Sequence, residues 1–292
     1  MTDIAPDPKP YAEANFGHFR HDMHRSVGAT ATSVNHRAGD GGVAGMGRPR
    51  VTVVLPTRNE ARNLPHVAER MPPVDELVVI DGGSQDGTAD VARRLWPHAT
   101  VIEQTRSGKG NALACGFRAA TGDIIVMIDG DGSTDPAEIP RFVEALVQGA
   151  DLAKGSRFCR DGGSDDITRF RRLGNYGLNW LVNRIFRTQF SDLCYGYNAF
   201  WRRNLDCLDL PCTDVPEPQW GDGFEIETVI NVRAAKSGWL IREVGSFEGK
   251  RLHGNSNLNA VTDGMRVLRT IGREHRERVG GARVPAGAGW SP

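Results

Sequence analysis

From residue 51 onward the chain repeats one pattern: a short run of β-branched and other apolar residues, a polar break, then a longer stretch with apolar residues at helical spacing. VTVVL (51–55) opens the series. The segment EARNLPHVAERM, from Glu60, sets Leu64, Val67 and Met71 three and four apart, one face of a helix. ELVVI (76–80), TVIE (100–103) and DIIVMI (123–128) read as three more strands, with DGTADVARRLW, GKGNALACGFRAA and PAEIPRFVEALVQ as the helices after them. Strand and helix alternating at this interval predict parallel strands joined by right-handed crossovers. Ligands then gather at the carboxyl ends of the strands.

The second half is less regular. RFRRLGNYGLNWLVNRIFR (169–187) reads as a helix interrupted by Gly174 and Gly177, SDLCYGYNAFW as a strand with a turn, and GFEIETVINVRAAKSG as a helix. WLIREVGSF reads as a strand and NLNAVTDGMRVLRTI as a final helix; no internal repeat is visible. The expected fold class is α/β: a Rossmann-like, mixed but mainly parallel sheet flanked by helices, in one domain over residues 49–275 with an extension in its second half. Residues 1–48, rich in Gly, Ala, Asp, Pro and His without apolar periodicity, are expected to form a mobile arm, and 276–292 a flexible tail.

Composition narrows the function classes. The 292 residues are 39% apolar, enough for a buried core, and Lys plus Arg balance Asp plus Glu at 36 each, so no global charge calls for nucleic acid. Five cysteines without a C-x-x-C pair suit reduced thiols in a cytoplasm. No run reaches the ~18 to 20 apolar residues that cross a bilayer, and the N-terminus lacks a basic region followed by an apolar core. The expectation is a cytoplasmic protein, with peripheral attachment to the inner membrane face left open. His18, His21 and His24 could gather a metal, but a solvated polar arm is the simpler reading.

The fourth strand ends in VMIDGDGSTDP (126–136), where Asp129 and Asp131 flank Gly130. Two carboxylates at a strand end suit a hard divalent cation, and Mg²⁺ typically takes one or two carboxylates and completes its shell with substrate phosphates. Asp135, before Pro136 and Glu138, fits instead an N-cap with a capping box. A calcium loop fails, because Ser133 and Thr134 stand where an acid or amide and a glycine are needed, and Pro140 replaces the bidentate glutamate. A phosphatase using Asp129 as nucleophile would open its fold with this motif, whereas three strand-helix units precede it here. A plain polar turn remains the alternative. The three earlier strand ends decide against it: PTRNEA (56–61), DGGSQDGT (81–88) and RSGKGNA (106–112) all deliver hydrogen-bonding groups to one sheet edge, as a nucleotide pocket requires.

The ordered series VTVVLPTRNEARNL, VVIDGGSQDGT, GKGNAL, MIDGDGSTDPAEI and AKGSRF resembles the family 2 glycosyltransferases of GT-A fold, over about residues 50–272. It is most similar to the dolichyl-phosphate mannose and polyprenyl-phosphate glucose synthase branch. The resemblance implies a nucleotide-sugar half (about 49–157) and an acceptor half (about 158–275). It places Pro56, Thr57, Asn59 and Glu60 around the nucleoside, Asp81 on the base or ribose, and Lys109 and Gly130 near the nucleotide. Asp129 and Asp131 would hold Mg²⁺ or Mn²⁺ on the donor diphosphate, Arg157 would lie by the donor or acceptor phosphate, and Arg251 would grip phosphate.

Two departures stand out. Gly82 follows Asp81 where the family usually has a second aspartate, and His253 stands where close relatives often carry an aromatic residue. A late histidine completes the metal shell in other GT-A enzymes, so His253 is a candidate third ligand, the alternative being an ordinary surface or core histidine. Its polar neighbours Asn255, Ser256 and Asn257 suggest a loop closing over phosphate.

Transfer to a hydroxyl needs a general base; transfer to an ionised phosphate does not. Asp222, Glu225 and Glu227 in WGDGFEIET are the candidates, with Asp222 or Glu225 preferred as base or acceptor contact. The segment 169–187, with five arginines, no acid, and Phe170, Trp180 and Phe186, suits either an anionic lipid surface or a helix packed inward with solvated arginines. The leading expectation is a metal-dependent inverting glycosyltransferase moving sugar from a GDP- or UDP-sugar to a polyprenyl phosphate or small-molecule acceptor. A nucleotide-sugar mutase or hydrolase on the same scaffold and a non-catalytic nucleotide-sugar binder are the alternatives.

Overall fold

Four parallel strands carry the first half: β1 (Val51–Thr57), β2 (Glu76–Asp81), β3 (Thr100–Glu103) and β4 (Ile124–Met127). They belong to a computed structural model that describes residues 47–254 and 260–277. All but the last two residues of the arm expected over 1–48, nearly all of the tail, and the Asn255–Asn257 loop lie outside the described residues. The chain divides into two units, Met1–Gly45 and Met46–Pro292, and the second is the one described here.

The remaining strands are β5 (Leu152–Ser156), β6 (Gly163–Ser164), β7 (Asn198–Trp201), β8 (Ile241–Gly245) and β9 (Phe247–Glu248). The main sheet has seven strands in the order β3-β2-β1-β4-β7-β5-β8, with β7 antiparallel to both neighbours; β6 and β9 form a separate pair. Helices α1 (Leu64–Arg70), α2 (Thr88–Leu95), α3 (Lys109–Ala119), α4 (Ile139–Val147), α5 (Arg169–Phe186), α6 (Ile226–Lys236) and α7 (Ala260–Arg276) surround it. The expected mixed, mainly parallel α/β sheet is what forms.

The apolar strand runs follow from burial on both faces. On β1, Val53 and Leu55 point into a core shared with Leu64, Phe142 and Leu146, whereas Val54 joins Leu113, Phe117, Ile226 and Ile230 on the opposite face. Register then places the strand ends together: Thr57 pairs with Asp81, and Asp81 with Glu103. A third core, between Val182 of α5, Val232 of α6, and Val267 and Ile271 of α7, holds the second-half helices together.

Several elements differ from expectation. The sequence LAKGS carries no strong strand signal, yet β5 lies inside the sheet because β7 and β8 satisfy both its edges. Its Lys154 is buried, and the Nζ donates to the carbonyls of Gly155 and Tyr195 at 2.8 Å each. Only NAFW of SDLCYGYNAFW becomes strand. Helix α5 runs unbroken through Gly174 and Gly177, where a Cβ would meet nothing within 4 Å. Asp135 does cap its turn, accepting from Ala137 N at 2.9 Å, but Glu138 accepts from Phe247 N at 3.2 Å instead of closing a capping box. All five cysteines are free.

Candidate active site

The GKG turn shows how the site is assembled. Gly108 has φ +123°, and a Cβ on it would lie 2.1 Å from the Asp222 carbonyl oxygen; on Gly110 it would lie 1.7 Å from that of Gly221. Only glycine permits this approach. It lets the Asp222 carbonyl accept from Gly110 N at 2.7 Å and Asn111 N at 3.2 Å, satisfying amides that the start of α3 leaves without helical partners. The loop before α6 is thereby drawn onto the first half.

Lys109, the first residue of α3, is aimed between two carboxylates. Its Nζ lies 2.6 Å from Asp129 Oδ1 and 2.7 Å from Glu227 Oε1. Burial opposes the ammonium charge, but Asp129 and Glu227 outweigh it and hold the lysine above its ordinary value. Burial pushes the Glu227 carboxyl up, with Lys109 acting against it. Gly196 closes this cluster, since a Cβ there would lie 3.0 Å from the Lys109 Nζ.

Asp131 faces a second cation. Its Oδ1 accepts from Ser133 N at 3.0 Å and Ser133 Oγ at 2.7 Å, while Oδ2 lies 3.4 Å from Arg251 Nε. Arg251 also pairs with Glu60. Burial raises the Glu60 carboxyl to about 6, against its hydrogen bond from Asn63 and the charge of Arg251. Gly130 must be small, because a Cβ would fall 2.8 Å from Thr57 Cγ2.

These groups line a cleft of about 660 Å³, within the range of small-molecule sites. Pro56, Thr57, Glu60, Lys109, Asp129, Gly130, Asp131, Arg157 and Arg251 all border it, as do Ile167, Phe170 and Leu178 from the α5 side and Val267 from α7.

Residues 52–208 match the family described as Glycosyl transferase family 2. The chain belongs to glycosyl transferase family 2. It is 34% identical to an uncharacterized glycosyltransferase of Mycobacterium tuberculosis over 219 residues, 75% of this chain and 94% of the relative. It is 31% identical over 229 residues to the undecaprenyl-phosphate mannosyltransferase of Micrococcus luteus, covering 75% of this chain and 91% of that one. Among solved structures, glucosyl-3-phosphoglycerate synthase from M. tuberculosis in complex with Mn²⁺, UDP-glucose and phosphoglyceric acid superposes with a TM-score of 0.61 at 25% identity. That match covers 78% of this chain and 80% of the other. This family 2 glycosyltransferase therefore has the GT-A fold.

Not every expected residue reaches the cleft. Asp222 does not border it, because Arg106 holds its carboxylate in a buried two-pronged pair, Nε to Oδ2 at 2.9 Å and Nη2 to Oδ1 at 2.7 Å. Glu225 is turned away too, accepting from Gly221 N at 3.0 Å and Gly223 N at 3.3 Å. The WGDGFEIET acid that borders the cleft is Glu227, whose helical phase the sequence left ambiguous. Arg157 is at the wall, but Asp192 takes its Nε and Nη2 at 2.7 and 2.9 Å and Glu248 its Nη1 at 3.0 Å, leaving it built in and not poised for phosphate.

His253 is exposed, and its backbone carbonyl accepts from Asn63 Nδ2 at 3.1 Å. No group of three His, Cys, Asp or Glu side chains among the described residues is arranged to hold a metal, so the expected third ligand does not join the aspartates. Asn59, at φ +57°, clips two loops together by accepting from Gln85 N at 2.9 Å and donating its backbone N–H to Ser84 Oγ at 2.9 Å. Asp81 lies below the cleft surface, accepting from Ser84 N at 3.0 Å. At Gly82 a Cβ would lie 3.1 Å from the Thr57 carbonyl and 3.2 Å from Arg58 Cβ, so a side chain there would need its neighbours to give by a few tenths of an ångström.

Asp129 and Asp131 fit a divalent cation by donor chemistry. Both offer carboxylate oxygens to the cleft, with side chains 31% and 23% exposed, and two such ligands are what a cation sharing its shell with phosphates takes from protein. Among the described residues, no helix is long and apolar enough to cross a membrane.

Proposed function

We propose that this enzyme transfers a sugar, with inversion, from a nucleoside-diphosphate sugar to a phosphate-bearing acceptor, with Mg²⁺ or Mn²⁺ held by Asp129 and Asp131. The observation that carries the reading is the pair of strand-end aspartates on the cleft, each matched with a cation, Lys109 or Arg251. The metal, when bound, neutralises charge on the departing diphosphate. Lys109 and Arg251 are the chain's own cations for the same phosphates, and Arg251 suits two oxygens at once through its planar fork. Pro56, Thr57 and Gly82 shape the nucleoside end. The structural neighbours crystallised with Mn²⁺ or Mg²⁺ and UDP support a uridine donor; a GDP-sugar is the alternative the test includes.

For the acceptor we favour a polyprenyl phosphate taken from a membrane surface. Ile167, Phe170, Leu178 and Val267 add apolar side chains to a cleft wall that also carries Asp166, Arg171, Asn175 and Asp263, a mixture that suits an acceptor with a lipid chain beside its phosphate. The undecaprenyl-phosphate specificity in the name of the M. luteus relative agrees with this. An ionised phosphate attacks without a general base, so the commitment of Asp222 and Glu225 to other partners is no obstacle. The test incubates the protein with UDP-glucose or GDP-mannose, Mn²⁺, and either undecaprenyl phosphate or 3-phosphoglycerate. Sugar on the lipid and none on phosphoglycerate supports the reading. Transfer only to phosphoglycerate refutes the acceptor, and a rearranged nucleotide sugar without any acceptor refutes the transfer reading.

A further inference from the structure

Helix α5 shows two faces. Leu178, Leu181, Val182 and Ile185 turn inward against Val232, Val267 and Ile271. On the outer side Leu173, Tyr176 and Trp180, spaced three and four apart, are 71%, 55% and 69% exposed, and Phe170 at the cleft mouth is 66% exposed. A contiguous stripe of large apolar side chains on one helix face needs a partner, since exposed apolar residues normally occur singly. Helix α7, which borders the same cleft, leaves Val261, Met265 and Leu268 at 65%, 49% and 42% exposure.

Charge selects the partner. Residues 169–187 hold five arginines and no acid. Arg169, Arg184 and Arg187 are exposed and form no ion pair among the described residues, whereas Arg171 is paired with Asp166. Tryptophan and tyrosine favour the boundary between headgroups and acyl chains, and arginines beside an apolar face add attraction to anionic headgroups. A second copy of this chain would bring the same arginines against themselves.

We infer that α5 is a docking surface for an anionic bilayer, lying in the interface with Leu173, Tyr176 and Trp180 inserted and Arg169, Arg184 and Arg187 among the headgroups. Phe170, on both the stripe and the cleft wall, then joins the membrane surface to the site. This deepens the lipid-acceptor reading and rests on it for its purpose, but the docking itself does not need an acceptor.

The experiment floats the full chain with vesicles of phosphatidylcholine alone and of phosphatidylcholine mixed with phosphatidylglycerol, neither containing polyprenyl phosphate. Wild type should bind the anionic vesicles and not the neutral ones. Leu173→Ser with Trp180→Ser, both outside the cleft lining, should weaken that binding at least about tenfold, as should Arg169→Glu with Arg184→Glu. Circular dichroism checks that both variants keep the wild-type helix content. Equal binding by all three proteins, no vesicle binding by wild type, or a lipid-free dimer abolished by the serine pair would each overturn the proposal. Because the vesicles lack acceptor, docking can fail while lipid glycosylation succeeds, and the reverse, so the two readings fall separately.

Discussion

The open cleft and the packed interior of this glycosyltransferase use charge in opposite ways. At the cleft, Lys109 and Arg251 sit on Asp129 and Asp131, where each pair faces the space a diphosphate and cation would enter. Where the elements pack on one another, the charges are locked: Arg157 on Asp192 and Glu248, Arg106 on Asp222, and Arg233 and Lys236 on Glu274. The first set is exchangeable and the second is structural. Residue type does not separate them; the exposure of the carboxylates does, 31% and 23% for Asp129 and Asp131 against 0% for Asp192, 9% for Asp222 and 1% for Glu274.

The largest effect should come from the exchangeable set. Asp131→Ala removes a proposed metal ligand and should lower kcat/KM by about a thousandfold, the worth of several kcal/mol of charge stabilisation. Its thermal midpoint should hardly move, because Arg251 keeps Glu60; a large fall in stability would place Asp131 with the locked charges. Arg157→Met is the converse. It strands Asp192, which has no side-chain exposure, and should cost about 3 to 5 kcal/mol in urea unfolding. Near-wild-type stability would break the comparison from that side.

A smaller effect separates Asp222 from Glu227. Asp222→Asn weakens the Arg106 pair and should cost about 1 to 3 kcal/mol of stability, with activity per folded molecule retained. Glu227→Gln, at the cleft and on Lys109, should lower kcat while the protein remains folded. Loss of activity in Asp222→Asn without loss of stability would restore Asp222 as a reacting group.

The smallest effect concerns pH. The Glu60 carboxyl is raised from 4.5 to about 6 on folding, so between those values the folded state holds more proton than the unfolded one. Its contribution is therefore fully present below 4.5 and lost as pH rises through 6, a change of about 2 kcal/mol. Urea titrations across this window should show that decline in wild type, and Glu60→Gln should flatten it. An identical slope in both would remove Glu60 as its source.

Much of the first half was legible because its physics is local. β1 to β4 and their helices follow from apolar periodicity, and TVIE falls on β3 residue for residue. The rest of the chain depends on contacts across long sequence separations. β5 is a strand because β7 and β8 flank it, not because LAKGS favours one. Gly174 and Gly177 suggested a break in α5, but inward packing of Leu178, Leu181 and Val182 holds the helix continuous. The same distinction governs the site. Asp129 and Asp131 were readable as a strand-end motif, whereas nothing near Asp222 in sequence announces Arg106, 116 residues away, as its partner. Burial was equally hidden for Arg157, whose two carboxylates come from Asp192 and Glu248.

The proposed chemistry turns on Asp129 and Asp131 as a divalent-cation site for a nucleoside diphosphate. Calorimetric titration of UDP and of GDP into the protein, with Mn²⁺ or with EDTA, tests it most directly, beside the same titrations of Asp131→Ala. One of the two nucleotides should bind with Mn²⁺, and its affinity should fall at least about tenfold with EDTA or in the variant. Binding of equal strength in all three conditions would contradict it.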